Sequence, residues 1–194
     1  MNPKKFLAIS MLAAVCLAPL SASADDSSAS SSTSTEPAKS VPTIDYAMRA
    51  SIGLGGGDRG IGGRMALDAE WWSSHNYAIG GRVTAFGSSA IFQGSSDAYA
   101  VAPTISFRTS ASRSYGVLGF GLGYAHVTQT YGSGLCIFGP CAATTRKELD
   151  TVYASASIGW LFHPGPIELG PMLFAEATPQ TQIVTLGLVA GVGL

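Results

Sequence analysis

Nowhere does this chain hold the run of about 20 apolar residues that a helix needs to cross a bilayer. Charge is scarce too: Asp, Glu, Lys and Arg make up 12% of 194 residues, with no basic patch of the kind that neutralises nucleic-acid phosphates. Only three histidines occur, and His75 and His163 fall in different connections, so no cluster with metal-ligand spacing forms. Of the three cysteines, Cys136 and Cys141 stand in a C-x4-C spacing, not the C-x-x-C of redox enzymes. These absences leave no expected metal, cofactor or nucleic-acid partner.

What is plentiful is glycine, 24 residues, together with a 46% hydrophobic content. The first segment, 1–24, reads as a secretory signal: Lys4 and Lys5, an apolar run from Phe6 to Leu20, then Ala22 and Ala24 spaced for cleavage. Cys16 leaves with it. A lipid anchor on Cys16 would want a small residue where Val15 stands. Residues 25–43, "DDSSASSSTSTEPAKSVPT", have no large apolar side chain before Val41 and cannot offset their chain entropy by burial, so a disordered spacer is expected. The rest, 44–194, suits one domain.

Within that domain the hydrophobic period is two. Ile44, Tyr46, Met48, Ala50, Ile52 and Leu54 alternate with Asp45, Arg49 and small residues; Ile61, Met65, Leu67 and Trp71 alternate with Arg64, Asp68 and Glu70. The pattern recurs around Val83, Val101, Leu122, Val152, Leu173 and Leu188, which makes eight strands of about ten residues. Strands of that length, tilted near 40°, cover an apolar band of roughly 25 Å. A soluble barrel would show the same alternation with its faces inverted. The aromatics decide between the two: Tyr46, Trp71, Tyr77, Phe107 and Trp160 lie on the apolar face near one end, half of an interfacial girdle, while Tyr99 and Tyr124 mark the other end. Connections are short at the first end, such as "SSHN" and "HPGPIE". At the second they are longer, "GSSAIFQGSSD" and about 20 residues from Thr128 to Glu148.

With these features the chain resembles the small eight-stranded outer-membrane barrels of Gram-negative bacteria, the broad group around the OmpA transmembrane domain, OmpX and the opacity proteins. The resemblance covers Ile44 to Leu194 and is architectural. It implies an all-β, eight-stranded antiparallel up-and-down transmembrane barrel in the cell outer membrane, monomeric and in contact with outer-membrane lipid and lipopolysaccharide. One departure is the last residue, Leu194, where members of the group carry an aromatic residue read by the insertion machinery.

Inward parity collects Asp45, Arg49, Arg64, Asp68, Glu70, Arg82, Arg108, Glu168 and Glu176. In a lumen this narrow such charges persist only when paired, so a structural network is expected; exchange of pairs would instead make a gated path for small solutes. "HVT", His126 to Thr128, is similar to the His-x-Ser arrangement of the outer-membrane lipid A deacylase, with threonine for serine and no carboxylate clearly placed to orient His126. No enzyme is expected. Two long connections share an apolar pair, Ile91-Phe92 and Ile137-Phe138, which suggests an interaction patch for an extracellular or outer-membrane protein partner. Outside the reducing compartment, Cys136 and Cys141 are expected to form a disulfide that staples the second pair in place. The expected role is therefore structural or interactive.

Overall fold

The computed structural model describes residues 45–73, 76–90, 94–109, 113–131 and 145–194. They form β1 (Tyr46–Gly57), β2 (Gly60–Trp72), β3 (Tyr77–Ala90), β4 (Gly94–Arg108), β5 (Ser114–Tyr131), β6 (Thr145–Phe162), β7 (Ile167–Ala177) and β8 (Gln182–Gly193). Each strand pairs antiparallel with the next, and β1 pairs with β8, so the sheet closes into a barrel with no lateral edge through its middle. Closure removes the unpaired backbone groups that hydrocarbon could not satisfy. The ladder continues to the last residue, where Leu194 N donates to Tyr46 O at 2.7 Å. The expected signal and spacer, 1–24 and 25–43, lie outside the described residues.

The stagger of the strands follows from the register. From Ala50, pairing through Leu67, Val83, Val101 and Tyr124 arrives at Val152 on β6. In the other direction, through Ala190 and Leu169, it arrives at Phe162. The two arrivals lie ten residues apart on β6, a shear that goes with a strand tilt of about 40° in an eight-stranded barrel.

Burial alternates with the sequence. On the outer surface Met48 is 71% exposed, Leu122 69% and Leu188 66%, while the alternate residues Arg49, Ala125 and Val189 are buried. Such a continuous apolar exterior is stable only against lipid. Tyr46, Trp71, Phe107 and Trp160 ring the lower rim, where the described chain begins and ends, and Tyr99 and Tyr124 lie toward the upper one.

The strands differ from the expected ten residues in length, most of all β5 and β6 with 18 each. The long upper connections are correspondingly shorter than the sequence suggested: β3 runs to Ala90, β4 resumes at Gly94, and β5 and β6 stay paired to Tyr131↔Thr145. Pairing outlasts the alternation because the outer face has to be apolar only where lipid touches it. Gly94 turns this corner with φ +86°, and a Cβ there would lie 1.9 Å from Thr130 O, so only glycine fits.

Candidate functional site

The lumen is the most highly charged interior of the chain. At its lower level Arg49 is the hub: Nε donates to Glu168 Oε2 at 2.6 Å, and Nη1 donates to Glu70 Oε2. Glu70 also accepts from Ser106 Oγ at 2.6 Å, and Glu168, with no exposed surface, accepts from the Tyr115 hydroxyl. Arg108 lies 4.3 Å from the centroid of the Trp72 ring, a cation stacked on the indole face.

One level higher, Arg82 Nε donates to Asp68 Oδ1 at 2.5 Å. Arg64 Nε donates to Glu176 Oε1 at 3.1 Å and its Nη1 to Ser51 Oγ at 2.8 Å. Glu176 accepts further from Thr84 and Tyr153, and the Phe174 ring packs 3.7 Å beneath the Arg64 guanidinium. The cavity remaining among Arg49, Asp68, Glu70 and Arg82 is about 10 Å³, room for one water at most. A charge taken out of water persists only with such partners, so each arginine here holds its carboxylate in place and closes the lumen at the same time.

Eight of the nine inward charges foreseen from parity are therefore buried in the barrel, in two stacked groups. Asp45 is the exception. It precedes β1, is exposed at the lower rim, and takes part through its backbone, donating from N to Leu194 O at 2.7 Å. Parity misplaces it because alternation holds only where a residue has a strand on both sides. Trp72, Tyr115 and Phe174 complete the lumen packing.

On the outer face near the upper rim, His126 Nδ1 lies 2.8 Å from Asp150 Oδ1, and the Tyr124 hydroxyl bonds the same carboxylate. A carboxylate thus does orient His126, contrary to the sequence expectation. The pairing His126↔Asp150 across β5 and β6 supplies it, and that register could not be read from spacing alone. Thr128 follows two residues along the same face. His163 is buried in the β6–β7 turn, and among the described residues no three His, Cys, Asp or Glu side chains gather as metal ligands. Ile91, Phe92, Cys136, Ile137, Phe138 and Cys141 lie outside the described residues.

Eight tilted antiparallel strands, apolar outside and charge-filled inside, define a small β-barrel of the outer-membrane type. No family model and no curated protein sequence matches the chain. Among solved structures it is similar to neisserial surface protein A, NspA, with 10% identity and a TM-score of 0.59 over 77% of this chain and 97% of NspA. It is also similar to Ail, the attachment invasion locus protein of Yersinia pestis, with 16% identity and a TM-score of 0.51 over 78% of this chain and all of Ail. The outer membrane enzyme PagL gives 13% identity and a TM-score of 0.49 over 75% of this chain and 99% of PagL. At these identities the likeness is one of fold.

Proposed function

We propose that this protein is an integral outer-membrane barrel whose work is done on its outer side, as a structural element and an attachment surface for an extracellular or outer-membrane partner. The observation that carries this reading is the contrast between the two ends of the barrel. The lumen is stopped by paired charges around a cavity of about 10 Å³, whereas β5 and β6 continue nine residues above Ala154↔Ala177, the uppermost pairing of β6 with β7. Of these, the seven residues above Tyr124↔Val152, the level of the upper aromatics, amount to about 23 Å of strand at about 3.3 Å per residue beyond the lipid-facing band. In this reading segment 1–24 directs export and is removed, 25–43 is a periplasmic spacer, and the upper connections present Ile91, Phe92, Ile137 and Phe138, the latter two stapled by Cys136 and Cys141. The name of Ail records attachment and invasion, and the role proposed here is of that kind. Substituting Phe92→Ser and Phe138→Ser should reduce attachment of displaying cells to host surfaces while heat-modifiable gel mobility stays intact; undiminished attachment would remove the support for this patch.

The His126–Asp150 contact favours a second reading, hydrolysis of an ester in an outer-leaflet lipid. Thr128 Oγ would attack the carbonyl, with His126 taking the hydroxyl proton and returning it to the leaving alcohol. Water would then release the acyl group from Thr128, and Asp150 would orient the imidazole throughout. Equal acyl content of lipid A in cells carrying wild type and His126→Ala would close this option.

A further inference from the structure

Three short elements meet over the upper opening of the barrel. The two-residue turn Asp58-Arg59 joins β1 to β2, the turn 178–181 joins β7 to β8, and the upper part of β5 stands opposite, since β5 lies four strands from β1 in a ring of eight. Turns joining neighbouring strands need no contact with the far wall. Here the β1–β2 turn reaches β5 across the opening, and the β7–β8 turn reaches the same strand past β6.

Asp58 Oδ1 accepts from Thr181 Oγ1 at 3.1 Å and from Ser88 Oγ of β3 at 3.3 Å, while Asp58 N donates to Gln182 O at 3.1 Å. The Arg59 guanidinium lies 4.7 Å from the centroid of the Tyr131 ring on β5. The Tyr131 hydroxyl donates to Gln129 Oε1 at 2.6 Å, and Gln129 Nε2 donates to Gln180 O at 3.2 Å, back in the β7–β8 turn. The second turn is stiffened from within, because Thr178 Oγ1 accepts from Thr181 N at 3.1 Å and from Gln180 N at 3.3 Å. The chain of contacts therefore runs from β1–β2 to β5 and from β5 to β7–β8, with Asp58 closing the circuit between the two turns. Ser96, paired in register with both Ser88 and Gln129, is 0% exposed and Thr185 1%, and the Arg64–Glu176 pair is buried farther into the lumen.

We propose that this circuit is a lid: the turns 58–59 and 178–181 are latched to Gln129 and Tyr131 of β5, and the latch shuts the upper charge group of the lumen off from the external solution. The lid is separate from the Arg49 plug, which closes the lower level whether or not the latch holds. It also stands apart from the attachment reading, since it involves none of the apolar residues of the upper connections. Apart from the backbone bond from Asp58 N to Gln182 O, which extends the β1–β8 ladder, its parts are hydrogen bonds made by side chains and one cation–π contact at a partly exposed mouth, each individually weak, so the lid can be released without unfolding the barrel.

Arginine modification by phenylglyoxal, mapped by peptide mass spectrometry on the refolded full chain, tests this directly. Arg146, whose side chain is 66% exposed, is the internal positive control; Arg64 reports the upper lumen and Arg49 the lower. In the wild type Arg146 should react and both lumen arginines should be protected. In Asp58→Ala/Gln129→Ala, Arg64 should react at least about tenfold faster while Arg49 stays protected, the factor expected when about 1.4 kcal/mol of latch is removed. Arg64 protected equally in both proteins, Arg64 already reactive in the wild type, or Arg49 rising together with Arg64 would each overturn the lid. Should the double variant lose its heat-modifiable mobility, Tyr131→Phe takes its place. It keeps the ring beside Arg59 and removes the bond to Gln129, so a smaller but measurable rise at Arg64 is expected, and no rise refutes the proposal.

Discussion

Replacing Arg49 with methionine removes the guanidinium that is ion-paired with both Glu70 and Glu168 at the lower level of the lumen. Glu168 has no exposed surface, and Glu70 is 6% exposed. Breaking a buried pair from one side costs about 3–5 kcal/mol, because the remaining charge keeps its desolvation penalty without its partner. Here one substitution removes the ion-pair partner of two carboxylates, so the upper part of that range is expected, partly relieved by the hydroxyls of Ser106 and Tyr115 that continue to donate to them and by Arg108 at the same level. With a urea dependence of about 2–3 kcal/mol per molar, the unfolding midpoint should fall by about 1–2 M. The assay is reversible urea unfolding in lipid vesicles, followed by tryptophan fluorescence. The triple variant Arg49→Met/Glu70→Gln/Glu168→Gln separates stranded charge from lost packing, since it deletes the same cation and leaves no carboxylate behind. It should recover most of the loss. A loss below about 1 kcal/mol in the single variant, or a triple variant no better than the single one, would refute the account of the lumen as a set of mutually dependent charges.

Three further outcomes are expected. Leu188→Arg, at mid-strand on the outer face, should destabilise the barrel in vesicles by about 2–4 kcal/mol, and Ile61→Arg beside the β1–β2 turn by about 0–1, a depth dependence that a soluble barrel would not show. Gly94→Ala should cost about 1–3 kcal/mol by chemical denaturation through its positive φ and its approach to Thr130 O, while Gly56→Ala, with open space around it, should stay within about 0.5; equal effects would sink the geometric argument. Purified barrel in planar bilayers should give no steady channel openings, and regular openings would count against the closed lumen.

The parts of this structure that were legible in the sequence are those where the surroundings demand a residue class. Outward positions must be apolar, so Met48, Leu67, Val83 and Leu122 announce both strand and face. Inward charges could be gathered by parity, but not paired: that Arg49 takes both Glu70 and Glu168 depends on the shear, which joins residues 119 positions apart. The same limit hid Asp150 from His126. The ends of β3 to β6 run past the sequence alternation because above the lipid the outer face loses its apolar constraint while backbone pairing continues. Asp45 shows the opposite error, parity extended past the point where a strand exists.

The two faces of each strand also set different terms for change over generations. Outside, one apolar side chain does nearly as well as another, since the solvent is hydrocarbon and has no shape to match, so Leu188 or Val101 can drift among many substitutes one at a time. Inside, a change at Arg49 costs least when Glu70 and Glu168 change with it, so substitutions there are coupled. A barrel built this way constrains residue class more than residue identity, so a fold like that of NspA, at a TM-score of 0.59, goes with only 10% identity. Ancestry, where it survives in such chains, is better sought in correlated changes among lumen charges than in the residues that meet the membrane.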